Sequence, residues 1–173
     1  LPDDSTHARG RTGYLAGSAE ERASDINEAF KDPKVGAIIC YIGGLHYNQI
    51  LPHLDYSLIA ANPKPFIGYS DATVVQLALY ARTGLVTFSG PAGLTQFAEY
   101  PQPDPYTLEY FARALMQDKP IGLVSPSPGW SDEVLNWFEQ DDLKRARHYR
   151  ANPGFTVLRK GIAQGRLLGG CLP

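Results

Sequence analysis

The sequence has few cysteines and no long hydrophobic run. Its two cysteines, Cys40 and Cys171, form neither a metal-binding spacing nor a disulfide framework, and we expect both thiols to be buried. No apolar run reaches the roughly 18 residues that span a bilayer. The first residues, LPDDSTHARGR, have no apolar core of a secretory signal. These absences predict a soluble, cytoplasmic protein without a membrane partner.

An excess of charge of either sign is also absent. The chain of 173 residues has 16 Lys and Arg against 18 Asp and Glu, which gives a net charge of -2. No stretch holds the dense cationic run that would follow a phosphate backbone, so we expect no nucleic-acid partner. Hydrophobic residues make up 43% of the chain, which is enough to build the core of one domain.

Apolar runs that alternate with helical patterns predict an α/β fold. A capping box at Ser18-Ala19-Glu20-Glu21 begins a predicted helix over 18–31. The runs at 35–42 and 65–69 have the length and continuous apolar character of strands buried on both faces. Further predicted elements are short helices at 48–52 and 55–61, a helix over 71–82 and a strand at 85–91. This order predicts a parallel-sheet sandwich with helices on both faces, of the flavodoxin-like or class I glutamine amidotransferase-like kind.

The pattern loosens after residue 91. A Pro-rich segment leads into an amphipathic helix, and the composition then shifts to Pro, Gly, Trp and charge. The predicted organisation is an N-terminal loop (1–17), an α/β domain (18–118), an irregular Trp-containing segment (119–154) and a linker (155–173). A short helix at 131–139 and one or two short strands after residue 154 complete the prediction.

Two loops follow the first two predicted strands, at the sheet edge where ligands bind in parallel folds. The second loop contains Ser70, which is either an N-cap of the next helix or a nucleophile on a strand-to-helix turn. The first contains Gly43 and Gly44, which form either a tight turn or a site where the backbone approaches a substrate. His46, on the same loop, is either a general base or a packed or solvated side chain.

The order of these motifs resembles the N-terminal domain of the LD-carboxypeptidase family of serine peptidases. The segments that carry the resemblance, between about residues 13 and 172, are GYLAGSAEERASDINEAFKDPKVGAIICYIGG, NQILPHLDYSLIAANPKPFIGYSDAT and LALYARTGLVTFSGPA. Within the family, IGG…NQ, PYTLEYF and SPSPGWSDEVLNW resemble the microcin C self-immunity branch rather than the muramoyl-tetrapeptide branch.

The resemblance implies a role for each matching residue. Ser70 would be the nucleophile of a Ser-Glu-His triad, and the backbone amides of Asp71 and Gly44 would bind the oxyanion. Gly43, Leu45 and Trp137 would contact substrate, with Trp137 stacking on the nucleobase of a peptidyl-adenylate. Packing of the Trp137 ring is the alternative. The family uses no metal and no cofactor.

The resemblance also implies what this chain lacks. The usual first strand and helix, and the Glu and His of the triad, fall outside it, and Cys171 stands where the family commonly has Asn. A serine without a base is a weak nucleophile, so we expect little or no turnover from these 173 residues alone. The implied substrate is a murein-type peptide or a peptidyl-nucleotide, and the implied full-length assembly is a homodimer.

Two other interpretations stay open on the sequence. One is a non-catalytic domain that binds a peptide or nucleotide conjugate. The other is a domain in which the GYSD turn is purely structural, with the Ser70 hydroxyl buried.

Overall fold

The computed structural model describes residues 3–171, which divide into two compact units. Residues 3–92 with 169–171 form the first unit, and 93–168 form the second. The division falls at residue 92, not at the predicted boundary of 118, because the helix that begins at Pro105 is tied to the segment after it. Within that unit Tyr110 Oη accepts a 2.8 Å hydrogen bond from the Ser125 amide. No helix in the described part of the chain is long and apolar enough to cross a membrane.

The first unit is a three-stranded parallel sheet with helices in the connections. Its order along the chain is α1 (Ala19–Lys31), β1 (Ile38–Ile39), a 3₁₀ helix (Tyr47–His53), α2 (Tyr56–Ala61), β2 (Phe66–Gly68), a 3₁₀ turn (Ser70–Ala72), α3 (Thr73–Thr83) and β3 (Phe88–Ser89). The strands pair in the order β1-β2-β3, with Ile38 beside Phe66 and Ile67 beside Phe88. The predicted α/β class with a parallel sheet is confirmed.

The predicted capping box begins α1. The Ser18 hydroxyl accepts a hydrogen bond from the Glu21 amide at 3.2 Å, and Glu21 Oε2 accepts one from the Ser18 amide at 2.8 Å. These two bonds satisfy amides that have no partner inside the helix. The helix then buries Ala23 and Phe30 completely. The predicted helix over 18–31 is therefore confirmed, with Ser18 as its cap.

A single apolar cluster supports the sheet in this unit. It comprises Ala23, Phe30, Cys40, Ile50, Leu54, Ile59, Phe66, Ala72, Val75 and Leu79. All three helices and the 3₁₀ helix contribute to it, because their connections place one apolar face of each over the strands. Burial of these side chains is the main term that stabilises the unit.

The first predicted strand is shorter and more exposed than its sequence indicated. Only Ile38 and Ile39 pair as a strand, and Ile39, Tyr41 and Ile42 each keep about 40% of their surface exposed. The prediction of burial on both faces is therefore wrong for this segment. Within the described sheet β1 is an edge strand, so only one side of it has a neighbour.

The second unit has little regular structure beyond α4 (Pro105–Leu115). A two-residue antiparallel pair joins β4 (Gly129–Trp130) and β5 (Arg150–Ala151), and a 3₁₀ turn covers Asp141–Leu143. The helix predicted at 131–139 and the strands predicted after residue 154 are not formed, so those predictions are wrong.

Ion pairs organise the segment where that helix was expected. The Glu133 carboxylate accepts hydrogen bonds from Arg145 Nη2 at 2.7 Å and from the His148 amide at 2.8 Å. These contacts, Arg145 first, lower the pKa of Glu133 to about 2. Arg147 pairs with Glu99 at 2.9 Å. Such partners lie 12 to 48 residues apart in sequence, so helical periodicity cannot reveal them.

Gln76 links the ends of two strands. Its side chain is 5% exposed, and Nε2 donates to the Gly68 carbonyl at 2.9 Å and to the Phe88 carbonyl at 2.8 Å. We predict that Gln76→Leu lowers the free energy of unfolding by about 2 kcal/mol, because it leaves buried carbonyl groups without this donor. Urea unfolding measures the loss. Leu77→Ala, at the exposed neighbouring position, is the control and should change the value by less than about 0.5 kcal/mol. Equal losses in the two variants would contradict the role of Gln76.

Candidate active site

Ser70 lies on a strained turn between β2 and α3. Its φ is 61°, in the left-handed region, which costs a non-glycine residue about 1–2 kcal/mol. The N-cap residue of α3 is Ala72 and that of the preceding 3₁₀ turn is Tyr69, and neither makes a side-chain cap bond. Ser70 is therefore not the helix cap that its sequence context also allowed. Ser70 as a residue is partly exposed and does not belong to the buried core.

Gly43 approaches Ser70 so closely that no side chain fits between them. A methyl group on Gly43 would lie 2.6 Å from Ser70 Cβ, 2.8 Å from Ser70 Oγ and 3.1 Å from the Asp71 amide nitrogen. The first two separations are well below van der Waals contact, and the third is also tight. The two loops that the sequence predicted at one sheet edge therefore meet, and Gly43 is the point of contact.

Gly44 lies beside the side chain of Asp71. A methyl group there would be 3.7 Å from Asp71 Oδ2, which also accepts a 2.9 Å hydrogen bond from the Tyr47 amide. The carboxylate of Asp71 thus faces the glycine loop, while its amide lies beside Gly43. Ser70, Asp71, Gly43 and Gly44 form one cluster.

Small residues shape the base of the turn. A methyl group on Gly68 would lie 2.9 Å from Cys40 Sγ and 3.1 Å from Ala72 Cβ, so the end of β2 packs directly on both side chains. Burial raises the pKa of Cys40 to about 11, which keeps the thiol protonated and unreactive at neutral pH. Cys40 is buried as expected. Cys171 is exposed, and the expectation that it is buried is wrong.

His46 is held by residues before and within α1. Its Nε2 lies 2.8 Å from the Tyr14 hydroxyl, and the two rings are 5.1 Å apart. Its carbonyl accepts a hydrogen bond from Arg22 Nη1 at 3.4 Å. These contacts tie His46 to Tyr14 and to α1.

The remaining predicted contact residues are Leu45 and Trp137. Leu45 continues the glycine loop and is 84% exposed. Trp137 belongs to the second unit, where its indole is 45% exposed on a turn. Neither residue is buried in a hydrophobic core.

Two residues that position the site were not predicted from the sequence. Tyr47 anchors the glycine loop to Asp71, and Gln76 secures the strand ends. A polar residue within the mainly apolar segment TVVQLALY was an available signal for Gln76. No local pattern marks Tyr47, since its partner is 24 residues away. Residues 3–171 contain no group of three His, Cys, Asp or Glu side chains placed to hold a metal ion.

A serine in a left-handed turn after a buried strand, with the next amide at the start of a helix, is the geometry of nucleophile turns in α/β hydrolytic enzymes. The family model of the LD-carboxypeptidase N-terminal domain matches residues 2–90. The chain belongs to the LD-carboxypeptidase family.

Relatives extend this result beyond residue 90. The microcin C7 self-immunity protein of Escherichia coli is 40% identical over 161 residues, which cover 92% of this chain and 46% of that protein. A solved structure of the self-immunity protein in complex with aspartyl sulfamoyl adenosine superimposes with a TM-score of 0.75 at 38% identity, covering 86% of this chain and 44% of the other. The murein tetrapeptide carboxypeptidase of Pseudomonas aeruginosa is 43% identical over 86 residues, 49% of this chain and 28% of that protein. The chain spans about half the length of the self-immunity protein.

The contact between Gly43 and Ser70 predicts an effect of adding one methyl group. We expect Gly43→Ala to lower the free energy of unfolding by about 1–3 kcal/mol, because the Ser70 turn or the glycine loop must move. Urea unfolding measures the change. Gly36→Ala is the control, because Gly36 has open space around its Cα and no left-handed φ. That variant should be neutral or stabilised by up to about 1 kcal/mol. An equal response of the two variants would show that the close approach is unimportant.

Proposed function

We propose that the protein is a serine hydrolase that cleaves an amide bond, with Ser70 as nucleophile. The left-handed Ser70 turn is the observation that carries the proposal, because a residue keeps such a conformation only where the surrounding structure enforces it. The turn directs Ser70 away from the capping geometry that would otherwise explain a serine before a helix. Its hydroxyl would attack the substrate carbonyl and form an acyl-enzyme that water then hydrolyses.

The oxyanion of the tetrahedral intermediate would be bound by the amides of Asp71 and Gly44. The Asp71 amide directly follows the nucleophile, as in other nucleophile turns. Gly43 supports this arrangement, since its missing side chain lets the glycine loop come close to Ser70 Oγ and the Asp71 amide. Donors in such fixed positions need no reorganisation when negative charge develops.

The general base would come from outside these 173 residues. A serine hydroxyl at its ordinary pKa needs an adjacent base, and the family resemblance assigns that role to a His oriented by a Glu. The self-immunity protein of Escherichia coli is about twice as long as this chain, so a protein of that length has room for both residues outside the part that this chain matches. The chain by itself would then have little or no turnover.

The substrate we favour is a peptidyl- or aminoacyl-nucleotide rather than a murein peptide. The match to the self-immunity protein covers 92% of this chain, whereas the match to the murein tetrapeptide carboxypeptidase covers 49%. The self-immunity protein has a solved structure in complex with aspartyl sulfamoyl adenosine, an aminoacyl-nucleoside analogue. A half-exposed indole at Trp137 could stack on such a nucleobase.

Labelling with a serine-directed fluorophosphonate tests the nucleophile. We expect the intact gene product to be labelled, Ser70→Ala to abolish the reaction, and the 173-residue chain to react at least 100-fold more slowly, because the proposed base lies outside it. Ser57→Ala, at an exposed serine of α2, is the control and should label normally. Intact protein that ignores the probe, hydrolyses no substrate and binds ligand equally well after Ser70→Ala would favour a non-catalytic binding domain.

Steady-state kinetics of Trp137 variants test the nucleotide assignment. We expect Trp137→Ala in the intact gene product to raise KM for an aminoacyl-nucleotide about tenfold with little change in kcat, because base stacking contributes about 1–3 kcal/mol. Trp137→Phe should retain most of the affinity. Phe138→Ala is the control, because Phe138 follows Trp137 in the sequence and is fully exposed. A normal KM in Trp137→Ala would contradict stacking on the nucleobase.

A further inference from the structure

Tyr47 closes the glycine loop into a compact unit. Its hydroxyl donates a 3.2 Å hydrogen bond to the Ile42 carbonyl, immediately before Gly43. Its own backbone lies at the other end of the loop, where the 3₁₀ helix begins. One side chain thus joins the two ends of the segment 43–46.

The Asp71 carboxylate connects this closed loop to the Ser70 turn. Asp71 Oδ2 accepts the Tyr47 amide hydrogen bond at 2.9 Å and lies next to Gly44. Asp71 is covalently adjacent to Ser70, so a loop that is hydrogen-bonded to this carboxylate is held close to the nucleophile. A charged acceptor makes this a stronger bond than one between neutral groups.

The other side of the loop is held independently. Arg22 of α1 donates to the His46 carbonyl and to Gln49 Oε1, and Tyr14 contacts the His46 ring. These residues tie the loop to the helical side of the unit. From the Ser70 turn, Ser70 packs closely on Gly43, and the Asp71 carboxylate accepts a hydrogen bond from the loop at the Tyr47 amide.

We propose that the Asp71 side chain is a positioning residue that sets the separation of the two oxyanion-binding amides. This inference rests on the proposed function, in which the amides of Asp71 and Gly44 act together. An oxyanion requires both donors within about 2.7–3.1 Å, so a loop displaced by 1 Å loses one donor and about 100-fold in rate. The Asp71 residue would thereby provide one amide through its backbone and align the other through its carboxylate.

Amide hydrogen exchange of this chain tests the structural half of the proposal. We expect Asp71→Ala to reduce protection of the Tyr47 amide at least tenfold, and Asp71→Asn to keep most of it because Oδ1 of an asparagine can still accept the bond. Asp104→Ala is a matched control. It removes a carboxylate that accepts a 2.9 Å hydrogen bond from the Tyr106 amide in the second unit, and it should leave Tyr47 unchanged. Unaltered Tyr47 protection in Asp71→Ala would overturn the proposal.

Kinetics of the intact gene product test the catalytic half. We expect Asp71→Ala to lower kcat about 100-fold with little change in KM, Asp71→Asn to remain within about tenfold of the unmodified protein, and Asp104→Ala to behave normally. Loss of Tyr47 protection without loss of kcat would overturn the positioning role. An Asn variant as inactive as the Ala variant would also overturn it, since the carboxylate would then act by its charge or as a base.

Further variants separate this proposal from the proposed function. If Ser70→Ala retains full activity, the nucleophile assignment fails, whatever Asp71 does. If Ser70→Ala is inactive while Asp71→Ala is unimpaired, only the positioning role fails. Should Asp71→Ala not fold, Asp71→Leu removes the acceptor of the Tyr47 amide while it fills a similar volume, and it should lower both kcat and the protection of that amide. An unchanged kcat in that folded variant would overturn the proposal.

Discussion

The space between Gly43 and Ser70 is the constraint on which the rest of the site depends. No atom beyond hydrogen fits on Gly43, because Ser70 Cβ, Ser70 Oγ and the Asp71 amide already occupy the neighbouring volume. Parallel pairing of β1 with β2 creates this situation, since it brings the carboxyl ends of both strands to one edge. The loop that leaves β1 and the turn that leaves β2 must therefore share a small volume.

The hydrophobic core of the first unit stabilises the close approach of Gly43 and Ser70. A left-handed serine costs free energy, and the buried cluster beneath it supplies the stabilisation that offsets the cost. Two residues connect this core to the Ser70 turn. Gln76 donates hydrogen bonds to the carbonyls of Gly68 and Phe88. Cys40 packs against Gly68. Stability and site geometry are consequently coupled, because the same residues define the strand ends and the position of Ser70.

Much of the first unit was predictable because its signals are local. A capping box and a periodic apolar face predicted α1, and two apolar runs separated by helical patterns predicted the parallel sheet. The second unit was not predictable in this way, because its contacts are not local. Glu133 pairs with Arg145 and His148, which lie at least 12 residues further along the chain. An apolar run also indicates only that a segment can be buried, not whether it lies at the centre or the edge of a sheet. The exposure of Ile39 and Tyr41 was therefore not predicted.

At the site, the sequence by itself determined the residue types and their order: two glycines after one strand, and a serine followed by an acidic residue after the next. It could not determine whether Ser70 caps a helix or lies on a strained turn, because the segment GYSD is compatible with both structures. Tertiary structure decided that question, since the φ of Ser70 follows from how β2 enters α3 against Gly43. The tie between Asp71 and Tyr47 was decided in the same way, because a hydrogen bond across 24 residues exists only once the sheet has formed.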